Sequence, residues 1–96
     1  MTIEGFQRLI ENIYFERDQR RGGGGTFMWF TEEVGELATA LREGDKHAMR
    51  QEFADVLAWL CTLASISGIE MSDAAQKYAN GCPRCHQTPC TCSEKS

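Results

Sequence analysis

"FTEEVGELATALREGDKHAMRQEFADVLAWL", residues 30–60, decides the fold class. Phe30, Val34, Leu37 and Leu41 recur every three or four residues as far as Gly44. Met49, Phe53, Val56, Leu57 and Leu60 resume that spacing after Asp45. This is the period of two amphipathic helices, the first ended by a C-cap glycine and the second opened by an Asp N-cap. If two helices joined so tightly pack antiparallel, their flanks face one another.

Those flanks are acidic. At about 100° per residue, Glu33 and Glu36 lie beside the apolar stripe of the earlier helix, on the side of Trp29 and Ala40, and Glu52 and Asp55 occupy the matching side of the later one, with Trp59 a turn on. A solvated acidic face would carry Lys or Arg three or four positions away, each pair contributing about 0.2–0.5 kcal/mol. None of these four acids has a cation at that spacing. Like charges so placed repel, and more strongly in a desolvated crevice, so an external cation has to compensate. Mg²⁺ suits the site, being a hard cation that takes oxygen ligands and bridges carboxylates to substrate phosphates.

Working outward, Ile3, Phe6, Leu9, Ile10, Ile13 and Tyr14 predict an amphipathic helix from residue 3 to about 20 with Thr2 as N-cap. The glycines of "RGGGG" predict a flexible break, after which Thr26 caps a helix that buries Phe27, Phe30, Val34, Leu37 and Leu41. The helix opened by Asp45 turns Met49, Phe53, Val56, Leu57, Leu60, Leu63 and Ala64 inward and closes at Gly68. A shorter helix runs from Ser72 to Gly81. No segment alternates as a strand would, so the fold class is all-α: a small helical bundle over residues 1–81, with a Cys-rich tail over residues 82–96.

A chain of 96 residues supports one domain with a core small enough to be shared with another copy, so the bundle is expected to be completed by oligomerisation. No apolar run approaches the roughly 20 residues of a membrane span, and charges from Glu4 onward interrupt any secretory leader, which leaves the cytoplasm as the expected compartment. A net charge of −4 argues against broad binding to a nucleic-acid backbone. It leaves room for a phosphorylated small molecule whose charge a metal offsets.

With "EVGE" at residues 33–36 and "EFAD" at residues 52–55, the chain resembles the MazG-like nucleotide pyrophosphohydrolases, marked by ExxE on one helix and ExxD on the next. Either half alone carries little weight. The ordered pair, with Glu32 completing "EEVGEL" and "VLAWL" following the Asp, is more specific, and the resemblance covers residues 1 to about 80. It implies an α-helical, Mg²⁺-dependent enzyme that cleaves the α-β phosphoanhydride of a nucleoside triphosphate to the monophosphate and pyrophosphate. It also implies a homodimer or dimer of dimers whose helices jointly build each site. By position, Glu33, Glu36, Glu52 and Asp55 become the metal ligands, and Glu32 or Glu33 the catalytic carboxylate that directs water. Asp73, Lys77 and Asn80 match a downstream trio that contacts substrate, although Asp73 and Lys77 equally form an exposed i, i+4 pair.

Trp29 and Trp59 flank the acids and either stack on a nucleobase or fill a helix interface. Arg17, Arg20 and Arg21 meet the negative end of the first helix, with phosphate contact as a second role. "GGGGT" lacks the Lys and the preceding strand of a Walker loop and is expected instead as a mobile loop able to fold over nucleotide.

The tail spaces Cys82, Cys85, Cys90 and Cys92 as C-x2-C-x4-C-x-C, which in a reducing compartment favours a structural Zn²⁺ site over disulfides, with His86 as a substitute ligand. Cys61 stands apart as a core residue. A metal-dependent hydrolase is the leading expectation. The alternative is a noncatalytic metal-binding module that contacts a partner through its Cys-rich tail.

Overall fold

The computed structural model describes residues 1–93, so the last three residues of the expected tail lie outside the described residues. The described residues form helices and turns, with no strand among them, as the apolar spacing requires. Helix α1 spans Ile3–Glu43, α2 spans Lys46–Ile66 and α3 spans Met71–Ala75, followed by a 3₁₀ turn at Gln76–Tyr78. The fourth element therefore opens one residue before Ser72 and tightens into the 3₁₀ turn short of Gly81. No single helix among the described residues is long and apolar enough to cross a membrane.

The largest departure from expectation is at the glycine run. Gly22 alone leaves helical geometry, at φ 75° and ψ 175°, and residues 23–25 are helical. The left-handed region costs other residues roughly 1–2 kcal/mol and glycine almost nothing, so Gly22 bends α1 into two arms, residues 3–21 and 23–43. The expected mobile loop is absent here. Thr26 is no N-cap: wholly buried, it donates from Oγ1 to the Gly22 carbonyl at 2.8 Å and accepts from Arg21 Nη1 at 3.2 Å. These bonds fasten the arms across the bend and give the Gly22 carbonyl a side-chain donor.

The remaining caps follow the sequence. Thr2 Oγ1 accepts from the Gly5 amide at 2.9 Å, and Asp45 Oδ1 accepts from the amides of His47 and Ala48 at 2.9 and 3.3 Å. Between Glu43 and Lys46 only Gly44 and Asp45 intervene, so α2 folds back along the second arm. The first arm packs near the other end of α2. There the buried Gln7 amide donates to Ser65 Oγ and the Ile69 carbonyl and accepts from the Met71 amide, tying α1, α2 and the start of α3 together. Ser65 in turn donates to Glu11 Oε2 at 2.6 Å, and Arg8 pairs with both Glu11 and Glu70.

The face along which the helices meet within the chain takes in only part of the apolar stripes. Among the described residues the buried hydrophobic ones are few, namely Ile10, Ala40 and Cys61. Phe27, Val34, Leu41, Phe53, Leu57 and Leu60, expected inward, are exposed, with Phe27 and Phe53 each at 55%. Glu33 and Glu52 of the acidic flank are half-buried near Ala40, Ala48 and Thr62, while Glu36 and Asp55 are exposed. Phe30, Leu37, Met49, Val56 and Leu63 are half-buried, so the expected apolar stripes are divided between the seam and the surface.

Candidate metal and nucleotide site

Trp29, Glu33, Glu36 and Ala40 follow one another at helical spacing on the second arm, opposite Ala48, Glu52, Asp55 and Trp59 on α2. Carboxylate oxygens of Glu33, Glu36 and Glu52 all come within 4.8 Å of one another. Asp55 stands outside that trio yet close enough to raise the pKa of both Glu33 and Glu52, and it borders the same cavity as Glu33. Glu32, rotated by one residue, is exposed and belongs neither to the trio nor to the cavity wall.

Two oxygens in this cluster, Glu33 Oε2 and Glu52 Oε2, are buried with no hydrogen-bond partner. A buried carboxylate oxygen without a donor loses its water and gains nothing in return. Burial, reinforced first by the charge of Glu36, pushes the Glu33 carboxyl up to about 7, and Glu52 is raised for the same reasons. A set of oxygen donors, two of them orphaned, fits a hard divalent cation.

Beside the trio is a cavity of about 420 Å³ at the junction of both arms with α2. Glu33 and Asp55 line one side of it, and Arg17, Asp18 and Arg21 of the first arm line another. Arg21 is held by Asp18 at 3.0 Å, and its guanidinium carbon sits 4.8 Å from the centre of the Trp59 ring. Trp29 and Trp59 lie nearly parallel, 13° apart with centroids 6.2 Å apart, and both border the cavity. The site therefore holds an acidic corner, a cationic wall and an aromatic pair.

A sequence model of the MazG nucleotide pyrophosphohydrolase domain matches residues 25–88, well over half of the chain. The chain belongs to the MazG nucleotide pyrophosphohydrolase family. No curated protein matches it significantly. The MazG match takes in both acidic motifs and both tryptophans.

The first arm lies outside the MazG match yet lines the same cavity through Arg17, Asp18 and Arg21. In the sequence Arg17 and Arg21 read as helix-end cations with phosphate contact as a second role, and no role falls to Asp18. The available signal was positional: Ile10, Tyr14, Arg17 and Arg21 recur at spacings of four, three and four, so the arginines extend an apolar stripe toward the cavity. Asp73, Lys77 and Asn80 are exposed and absent from the cavity wall, and Lys77 Nζ lies 5.9 Å from the centre of the Tyr78 ring.

At the tail, the sulfurs of Cys82, Cys85, Cys90 and Cys92 also converge within 4.8 Å, a second cluster able to hold a metal. The Thr91 amide, then its hydroxyl, brings the Cys85 thiol down to about 5, whereas hydrogen bonding among the clustered sulfurs, first with Cys90, pushes the Cys92 thiol up to about 12. Burial raises the Cys61 thiol, consistent with a packed core residue.

Proposed function

We propose that the protein hydrolyses a nucleoside triphosphate at the α-β phosphoanhydride, releasing a nucleoside monophosphate and pyrophosphate. One observation carries the reading: three carboxylates, two of them with an orphaned oxygen, converge beside a cavity walled by arginines and tryptophans. Glu33, Glu36 and Glu52, with Asp55 adjacent, would hold Mg²⁺, which when bound supplies neutralisation of phosphate charge and a more acidic water. Arg17 and Arg21 bind the phosphate oxygens that extend away from the acids. Trp29 and Trp59 offer the base a flat apolar surface. Glu33, bordering both the trio and the cavity, orients the attacking water and accepts its proton; Glu32 faces elsewhere. Asp73, Lys77 and Asn80 reach substrate only if a second copy brings them there.

The functional unit in this reading is a homodimer, or a dimer of dimers, in which the exposed apolar stripes of the second arm and α2 cover one another and complete a four-helix bundle. An intracellular role in clearing nucleotides from the pool agrees with such chemistry. The test is pyrophosphate release with Mg²⁺ over a panel of standard and modified nucleoside triphosphates. Turnover that EDTA abolishes is the expected result. Nucleotide binding without turnover of any member would replace this reading with that of a noncatalytic sensor.

A further inference from the structure

We propose that Cys82, Cys85, Cys90 and Cys92 form a tetrahedral, purely structural Zn²⁺ site seated on the end of the last helix. The distances decide among the possible states of four clustered thiols. Cys82 Sγ and Cys92 Sγ lie 3.7 Å apart, and Cys85 Sγ and Cys90 Sγ 3.9 Å apart. A disulfide needs about 2.05 Å, so neither pair is one. Zinc with sulfur ligands at about 2.3 Å has a tetrahedron edge of about 3.8 Å, which both pairs match. A multi-iron cluster places each cysteine beyond its own iron and spreads the sulfurs further than these four.

The backbone is arranged to receive thiolates. The Cys82 amide donates to the Gln87 carbonyl at 3.1 Å and the His86 amide to the Cys82 carbonyl at 2.7 Å, closing a tight loop about the first two cysteines. His86 takes φ 61° there, the left-handed conformation that lets the chain reverse after Cys85. The Thr91 amide donates to Cys85 Sγ and the Cys92 amide to Cys90 Sγ, each at 3.3 Å. Four thiolates around Zn²⁺ leave two net negative charges, and amides aimed at sulfur offset part of that. Zinc uptake releases to solvent the protons still on the thiols. Four protein ligands leave no open position for water or substrate, and so the centre is not catalytic. His86 is not needed as a ligand.

Gly81 joins this loop to the helical body. It adopts φ 94°, and a Cβ there would lie 2.7 Å from Thr88 Oγ1 and 3.0 Å from the Gln87 carbonyl oxygen. The loop therefore closes directly over Gly81, whose amide donates back to the Tyr78 carbonyl of the last helical turn at 3.2 Å, and any side chain at residue 81 would pry it off. Residues 82–93 have no regular element of their own, so the metal supplies their order.

The test uses the full chain, purified under reducing conditions and washed with EDTA. One zinc per chain is expected by elemental analysis, and replacement by Co²⁺ should give the absorption of tetrahedral thiolate coordination. Cys85→Ser with Cys90→Ser should lose that zinc and that spectrum while helical circular dichroism persists, and Cys61→Ser should keep both. Gly81→Ala should bind zinc at least tenfold more weakly in competition with a chelator. Stoichiometric iron, two disulfides found by mass after alkylation, or zinc retained by the double variant would overturn the site. Undiminished zinc affinity in Gly81→Ala would overturn its seating on the helix. None of these readouts depends on nucleotide turnover.

Discussion

Glu33 concentrates the electrostatic strain of the site. Its carboxyl is raised from an ordinary value near 4.5 to about 7, so between those limits the folded chain holds a proton that the unfolded chain has released. Folded-state stability therefore falls as pH rises through that window, and the penalty is fully present above it. Thermal melts in EDTA should show a melting temperature that declines from pH 5 to pH 7.5. Glu33→Gln should flatten the decline, and Mg²⁺ should reverse it in the unaltered chain by binding the folded acids. A pH-independent melting temperature that ignores Mg²⁺ would contradict the crowding of these groups. At the opposite wall, Arg17→Ala removes a charged donor worth about 1.5 kcal/mol, so KM for the triphosphate should rise about tenfold with kcat retained. An equal fall in kcat alone would put Arg17 outside the ground-state contacts. The acids were legible because their missing cationic neighbours lie within one turn of sequence. The arginines were legible only as helix-end cations with phosphate contact as a second role, because their place on the cavity wall depends on a bend that carries them toward α2.

That bend shows how composition misleads at the level of elements. Four glycines in a row carry a high helical cost, which favours a loop when only local propensity is weighed. Three of them are nevertheless helical, because Thr26 bonds the Gly22 carbonyl and Arg21 joins Asp18, Thr26 and the Trp59 ring into a brace across the bend. Asp18, Arg21 and Thr26 are near neighbours in sequence, but the Trp59 contact that completes the brace is not visible as a local pattern. The helices around residues 30–60, by contrast, carry their caps and periodicity in the sequence itself, and their bounds follow Gly44 and Asp45 closely. Since a Cβ at Gly24 would meet open space, Gly24→Ala should stabilise the chain by about 0.5–1 kcal/mol, measured by urea unfolding. A flexible loop at this position would instead leave stability unchanged or lower it.

Across the whole molecule, the apolar spacing located the helices, but only part of each stripe turns inward: Phe30, Leu37, Met49, Val56 and Leu63 are half-buried, and the rest is exposed. Periodicity marks which side chains share a face and is silent on whether that face meets the same chain or another. Phe53, Leu57 and Leu60 on α2, with Phe27, Val34 and Leu41 on the second arm, remain exposed here. Burying a large apolar side chain contributes about 1.5–3 kcal/mol, enough over six residues to hold two copies together. Phe53→Glu should convert a dimer to monomers in sedimentation velocity and remove the rise in melting temperature with protein concentration expected of an associating chain. A monomeric unaltered protein would leave those stripes to a different partner.

Gly22 has one more consequence. A residue comfortable with ordinary helical angles at that position relieves its strain most cheaply by straightening α1, and 41 residues of continuous helix measure about 60 Å, against a longest dimension of 43 Å for the folded chain. The first arm would then overshoot its own α2 and dock on that of a neighbour, re-forming the Gln7 bonds and the Arg21 contact with the Trp59 ring between chains in a reciprocal exchange of segments. Gly22→Ala should accordingly populate interlocked species on gel filtration that dissociate only as fast as the chains unfold. The single atom that glycine omits at the bend is what keeps each molecule's arm its own.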